Sequence, residues 1–306
     1  MKAKNVKSVI RSKINHFLKH VRDEDVRKVL EKNIVVTGGA IASLLLGEEV
    51  NDFDIYLRSK EAALTVAQHY AAEFANNSPP RHRNSSQKCN VVVEELPDRI
   101  RIKVQSAGIA SEQGDEDYEY FETTNPEDAD AHEYVSKVLS IAQDAEPDNE
   151  KPKYRPVFRT ANAITLSDKV QIVTRFFGEP DEIHENYDFV HVTNYWTSWD
   201  NKLVLRPDAI EALLARELRY VGSKYPLCSV IRTRKFIQRG WAVTAGQYLK
   251  MIMQLQELDL HDIRVLEEQL TGVDAAYFDE VLAALKKKDA KRVDAAYLVE
   301  LIDRIF

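Results

Sequence analysis

The chain reads as an α+β protein, in which a small sheet domain with flanking helices precedes an all-α C-terminal domain. Three observations carry that reading. Short apolar segments of strand character alternate with helix-period segments over the first two thirds of the chain. Residues 207–306 are helical in pattern almost throughout. With 306 residues, 44% hydrophobic and 30% charged, there is enough chain and enough apolar surface for two packed domains. The boundary falls near Arg206-Pro207, giving a first domain of residues 1–206 and a helical domain of 207–306.

Taken in order, residues 3–32 form one or two helices, with Val6, Val9, Ile10, Ile14, Phe17 and Leu18 on one face. Residues 34–36 are a short apolar strand, turned by Gly38-Gly39 into a helix over 40–46. Residues 51–57 alternate and predict a strand. A helix runs from Ser59 to about Asn76, and Asn77-Ser-Pro-Pro is a loop. Strands follow at 89–94 and 99–105, then at 163–166, 170–176 and 187–193.

The net charge of −7 is unevenly spread. Residues 111–150 carry 14 acidic residues against the single Lys137, a net −13 that leaves +6 on the rest of the chain. The acidic balance therefore does not argue against a polyanionic substrate. The stretch reads as a solvated insertion in the first domain, with a helix over 127–142 placing Tyr134, Val138 and Ile141 on one side. No run approaches the roughly 18 apolar residues of a membrane span. The basic, amphipathic N-terminus lacks the apolar core and cleavage site of a signal peptide. Cys89 and Cys228 form no metal-spaced or redox motif, so a reducing cytoplasm and no membrane partner are expected.

The chemistry concentrates in TGGAIASLLLGEEVNDFDIYL, residues 37–57. Residues i and i+2 of a strand share a face, so Asp52 and Asp54 stand together while Phe53, Ile55 and Leu57 pack on the other side. Two carboxylates a few Å apart repel unless a cation joins them. Mg2+ or Mn2+ suits the pair, because hard cations take carboxylate oxygens together with substrate phosphates. The strand–Gly38-Gly39–helix turn offers backbone N–H groups and a positive helix end to a phosphate chain, and Ser43, one turn on, adds a hydroxyl. The plain alternatives are an Asx turn for the aspartates, a simple tight turn for the glycines and a packing role for Ser43.

Glycine pair, short helix and Asp-x-Asp on a strand resemble the nucleotidyltransferase superfamily typified by polymerase β and the CCA-adding enzymes. The stretch NAITLSDKVQIVTRFFGEPDEIHENYDFVHVTNYW, residues 162–196, is similar to segments of phage-encoded and related nucleotidyltransferase-like proteins. There the pattern is a VQI strand, a G-x-P-x-E-I turn and helix start, and an F/Y-D-F strand. The likeness covers about residues 34–57 and 155–245. It implies a small mixed nucleotidyltransferase sheet and a third carboxylate on a strand beside the Asp-x-Asp strand. Asp188 is the candidate; the other position, on the 170–176 strand, offers Gln171, which can contact a base or a metal-bound water. In SVIRTRKFIQRGW, residues 229–241, Arg232, Lys235 and Arg239 recur at i, i+3 and i+7 on one helix face, suited to a triphosphate or a nucleic-acid backbone. A solvated face is the plain alternative.

The resemblance implies a metal-dependent transfer of a nucleoside monophosphate from an NTP to an acceptor hydroxyl of RNA or tRNA, a nucleotide or a protein, with release of pyrophosphate. Asp52, Asp54 and Asp188 would be catalytic and hold the metal. Gly38, Gly39, Ser43, Gln171, Arg232, Lys235 and Arg239 would bind the nucleotide. A phage-encoded chain would act in the host cytoplasm. The rival expectations are a catalytically inactive nucleotide- or RNA-binding module of the same fold, and a toxin or defence nucleotidyltransferase.

Overall fold

The computed structural model describes residues 1–77, 90–105, 153–156 and 163–270, with Ala296 and Val299. The acidic stretch 111–150, the helix expected at 127–142, Cys89 and most of the chain beyond Leu270 lie outside the described residues.

Two helices open the chain, α1 (Ala3–His20) and α2 (Glu24–Asn33). Their break is chemical. The Asp23 carboxylate accepts from the Asp25 and Val26 N–H groups at 2.9 and 3.1 Å, a side-chain cap that starts α2. α1 buries Val6, Ile10, Ile14, Phe17 and Leu18, a stripe at helical spacing. Then come β1 (Ile34–Thr37), α3 (Gly39–Leu46), β2 (Phe53–Leu57), α4 (Lys60–Asn77), β3 (Asn90–Glu95), β4 (Ile100–Gln105), β5 (Ala163–Leu166) and β6 (Val170–Phe177). After them follow α5 (Pro180–His184), a 3-10 turn at Val190–Val192, β7 (Tyr195–Thr197) and β8 (Lys202–Val204). Four helices complete the described chain: α6 (Pro207–Ala215), α7 (Pro226–Gln238), α8 (Ala245–Leu255) and α9 (Ile263–Leu270).

The fold is α+β. A mixed six-stranded sheet has the order β5-β6-β2-β1-β7-β8, and β3 and β4 form a separate hairpin. β2 and β6 run parallel, and the other neighbours are antiparallel. One face of the sheet is sealed by a core joining Ile10 and Phe17 of α1, Tyr70 of α4, and Val36, Phe53, Ile55, Leu57, Ile164 and Ile172 of the strands. Each fully buried side chain of this size contributes about 1.5–3 kcal/mol. The chain divides into two compact units. Among the described residues, the first runs to His184 and takes Asn194–Leu205, and the second takes Glu185–Thr193 and the chain from Arg206 on.

Two strand expectations need correction. The strand expected at 51–57 begins at Phe53, because its partner β6 begins at Val170, opposite Phe53. Before that, Asp168 and Lys169 form a turn at φ +67° and +56°, with no ladder for Asp52 to join. The strand expected at 187–193 is instead a bridge and a 3-10 turn. Phe189 is buried and Val190 and Val192 are half-buried, but the backbone bonds loops: the Val190 N–H donates to Arg219 O and the Val221 N–H to Asp188 O. The segment has strand-like composition without strand pairing.

Candidate active site

The sequence turns sharply after β1, and the structure shows what holds the turn. Thr37, at the end of β1, is fully buried. Its hydroxyl donates to Asn194 O at 2.9 Å and lies 2.8 Å from His184 Nε2. Gly38 follows at φ +89°, ψ −152°, a backbone region open essentially to glycine alone. α3 starts at Gly39, and its N-cap residue Gly38 has no side chain with which to cap the first N–H groups. A Cβ built on Gly39 would meet nothing within 4 Å. Ser43 lies one turn on, half-buried and on the face of Gly39. Its carbonyl accepts from the Glu48 N–H at 2.9 Å as the helix ends at Gly47.

The register of the sheet sets the neighbours of the aspartates. Asp54 pairs with Gln171 across β2 and β6, and Gln171 with Thr165 across β6 and β5. On the other side, one step beyond the Val36–Ile55 pair, Thr37 stands opposite Asp54, and Thr37 pairs with Tyr195 of β7. Register partners share a face, so Thr165, Gln171, Asp54, Thr37 and Tyr195 form one polar row on the side opposite Phe53 and Ile55. Asp54 is half-buried, and Asp52, just ahead of β2, is exposed. The row brings Asp54 and Gln171 together at the glycine turn, which follows Thr37 directly.

Lys13 is a neighbour that the sequence did not disclose. Its ammonium reaches from α1 to donate to Asp168 O. It lies 5.7 Å from the Phe53 ring centroid and 5.1 Å from that of Tyr154. Burial lowers its pKa, while the charges of Asp168 and Asp52 oppose that fall. Thr37 and His184 were also missed as supports of the turn. No spacing rule links residues 147 apart.

The remaining predicted residues lie in the second unit. Asp188 precedes the 3-10 turn, is buried, and accepts from Arg232 Nη1 at 2.6 Å. Arg232 and Lys235 are on α7, whereas Arg239 is its C-terminal cap residue, so the helix stops at the last member of the basic stripe. Lys235 and Arg239 are exposed. His191, seven residues after His184, is walled by Phe189, Phe236 and Trp241, with ring centroids 6.1, 5.0 and 4.4 Å away. Trp196 is buried in the sheet core and donates to Asn201 Oδ1 at 3.1 Å. Trp199 carries the Arg58 guanidinium at 4.6 Å.

Among the described residues, no group of three or more His, Cys, Asp or Glu side chains is placed to hold a metal ion. Asp54 and the Gln171 amide bring oxygen donors to one row, and Asp52, an exposed carboxylate, precedes the strand. Oxygen donors are the type that a hard divalent cation takes.

Solved structures similar to the chain are tRNA-processing and CCA-adding enzymes. A tRNA-processing enzyme with CTP matches at 14% identity, covering 91% of this chain and 57% of that one, with a TM-score of 0.37. The Thermotoga maritima CCA-adding enzyme complexed with a tRNA matches at 11% identity, covering 90% and 53%, with a TM-score of 0.38. Scores this low carry no argument about the site, which rests on the register given above. Among curated proteins, "Gabija anti-defense 2" of Bacillus phage SPbetaL7 is 17% identical over 292 residues, 95% of this chain and 53% of that protein. The chain thus spans about half the length of this curated relative. A family model described as Gabija anti-defense 2 family protein matches residues 8–216 of the 306, and the chain belongs to that family.

Proposed function

We propose that the chain is a metal-dependent nucleotidyltransferase acting in counter-defence. The observation that carries this is the joint placement of Asp54 and the glycine turn. The polar row puts a half-buried carboxylate beside Thr37, and the next two residues lead into the start of α3, whose backbone N–H groups suit an anion. Asp52 and Asp54 would hold Mg2+ or Mn2+, which would supply charge neutralisation along the triphosphate. Gly38, Gly39 and Ser43 would seat the phosphates through N–H groups and a hydroxyl. Gln171 would contact the nucleotide or a metal-bound water. In the reaction an acceptor hydroxyl forms a bond to the α-phosphorus, the α–β phosphoanhydride bond breaks, pyrophosphate leaves, and the hydroxyl proton passes to water. The chain's contribution is positioning and electrostatics.

Asp188 is not needed for this reading. Its carboxylate is occupied by Arg232 within its own unit, which favours a structural pair. Lys235 and Arg239, exposed on and just after α7, remain suited to a phosphate backbone, so RNA or tRNA is the acceptor first to be tried. The relative's name extends the reading to action against Gabija defence.

The test is incubation of the full chain with each α-labelled NTP, Mg2+ or Mn2+ and total RNA. Label should move to an acceptor, and Asp52→Ala and Asp54→Ala should abolish the transfer while keeping the fold. Unchanged turnover in either variant would contradict the reading. One observation favours a second reading. Gln171 occupies the position in register with Asp54 where an acid would complete a carboxylate set, as expected of a binding module without turnover. That reading gives nucleotide binding with no pyrophosphate release for any NTP.

A further inference from the structure

Thr37 is where three segments of the first unit meet. β1 ends there, and the chain turns through Gly38 at φ +89°, ψ −152°. The buried Thr37 hydroxyl lies 2.9 Å from the carbonyl of Asn194, the residue before β7. It lies 2.8 Å from Nε2 of His184, the last residue of α5. α5 is short, but the chain is tied on both sides of it. Just before its start, the Gly178 N–H donates to Leu57 O, at the end of β2, at 3.0 Å. At its end, His184 is buried and meets Thr37. The His184 ring also stands 5.8 Å from that of Tyr195, which pairs with Thr37 in the sheet. His184 therefore lies against two adjoining members of the polar row, beside the glycine turn.

A backbone conformation like that of Gly38 persists only where its surroundings over-determine it. Glycine itself does not supply the constraint, because it has more conformations open to it than any other residue. On the β1 side the constraint sits at Thr37, whose side chain is held from two segments in a buried place, where leaving a hydrogen-bonding group unpaired is costly. The start of α3 follows Gly38 directly. The direction of its first N–H groups is thus inherited from Thr37 through one permissive residue. An anion seat works by holding its donors in place before the ligand arrives.

We propose that His184 is a positioning residue of the phosphate seat: through Thr37 it holds the glycine turn in the shape that presents the α3 N–H groups to a triphosphate. The proposal rests on reading that turn as the triphosphate seat of a nucleotidyltransferase. It gives α5 a part in nucleotide binding with no contact between His184 and the nucleotide.

The experiment measures the affinity of the full chain for nonhydrolysable NTP analogues with Mg2+, by titration calorimetry. Glutamine can place its amide where the histidine Nε2 stands, and serine keeps the hydroxyl. His184→Gln and Thr37→Ser should therefore bind within about threefold of wild type. His184→Asn is too short to reach, and Thr37→Val keeps the shape without the hydroxyl. Each should weaken binding by about tenfold or more. The double variant His184→Asn/Thr37→Val should bind no more weakly than Thr37→Val alone, because both changes remove one link. Circular dichroism verifies that each variant is folded, and affinities are read well below each melting temperature, where a loss of stability alone leaves them unmoved. Unchanged affinity in a folded His184→Asn or Thr37→Val would overturn the proposal and leave the seat reading intact. So would additive losses in the double variant, or a His184→Gln as weak as His184→Asn. If only one of the two breaking variants folds, it decides. Failure of both to fold would assign the contact to the fold rather than the site, and would also overturn the proposal. A wild type that binds none of the analogues would overturn both readings.

Discussion

Gly38 and Gly39 adjoin in sequence but differ in what they ask of the chain, and substitution can separate the two. Gly38 sits at φ +89°, ψ −152°, so Gly38→Ala should cost about 1–3 kcal/mol of stability through backbone strain alone. Gly39 is at the start of α3 with open space around its missing Cβ. Gly39→Ala should therefore leave the melting temperature unchanged or slightly raised, since alanine is favoured over glycine in helices by up to about 1 kcal/mol. If the triphosphate approaches here, the same variant should lose most of the stabilisation that Mg2+ plus NTP gives the wild type, read by thermal melting. A Gly39→Ala protein that keeps full ligand stabilisation would place the phosphates elsewhere. His191 gives a pH signature. Burial, with Arg239 nearby, lowers its pKa from 6.5 to about 4 against the opposing charge of Asp188. The folded imidazole is thus neutral where the unfolded one is protonated. Stability should be independent of this group above about pH 6.5, fall as pH drops towards 4, and level off below, a loss of about 3 kcal/mol at most. Denaturant unfolding at pH 7.5, 6 and 5 should show that slope in wild type and a shallower one in His191→Phe.

At the scale of elements, the first half was legible because its signals are local. The Asp23 cap, the 34–37 apolar run, the glycine turn and the helix start at Ser59, whose hydroxyl accepts from the Ala62 N–H at 3.2 Å, are each set by residues within a few positions. What escaped was set by distant partners. The start of β2 depends on where β6 begins, and β7 and β8 were not read because three-residue strands carry too little pattern to register. The segment around Asp188 misled because its run of apolar and aromatic residues reads like a strand, while its backbone bonds the loop at Arg219 and Val221. In the site, Asp54 and the glycines were readable as local oddities, whereas Lys13, Thr37 and His184 enter only through tertiary contact. The 3-10 segment also sets a prediction. Arg232 pairs with Asp188, their side chains 24% and 10% exposed. Arg232→Ala should destabilise the protein by about 3 kcal/mol, because it leaves a nearly buried carboxylate without its cation. A change below about 0.5 kcal/mol in denaturant unfolding would show the pair to be structurally idle and return Asp188 to the candidates for catalysis.

For the whole molecule, the dominant quantity is charge asymmetry. Residues 111–150 carry −13 of a total −7, so a chain lacking them would stand at +6. Deleting them should raise affinity for RNA or DNA and steepen its salt dependence, since fewer fixed anions compete with the phosphates. Loop-closure cost grows slowly with length, so the shortened chain should still fold. Filter binding at several salt concentrations checks the first expectation, and melting the second; insoluble protein would show that the segment belongs to a core. No described helix is long and apolar enough to cross a membrane. The central claim is that Asp54 and the glycine turn form a centre for nucleotidyl transfer, and pyrophosphate release tests it most directly. Purified wild type and Asp54→Asn, first matched in melting temperature, are supplied with each NTP, Mn2+ and RNA or host-cell extract as acceptor. The expected result is release by wild type with at least one NTP and a loss of 100-fold or more in Asp54→Asn. Equal release by both proteins, or none by wild type with any NTP and acceptor, would contradict it.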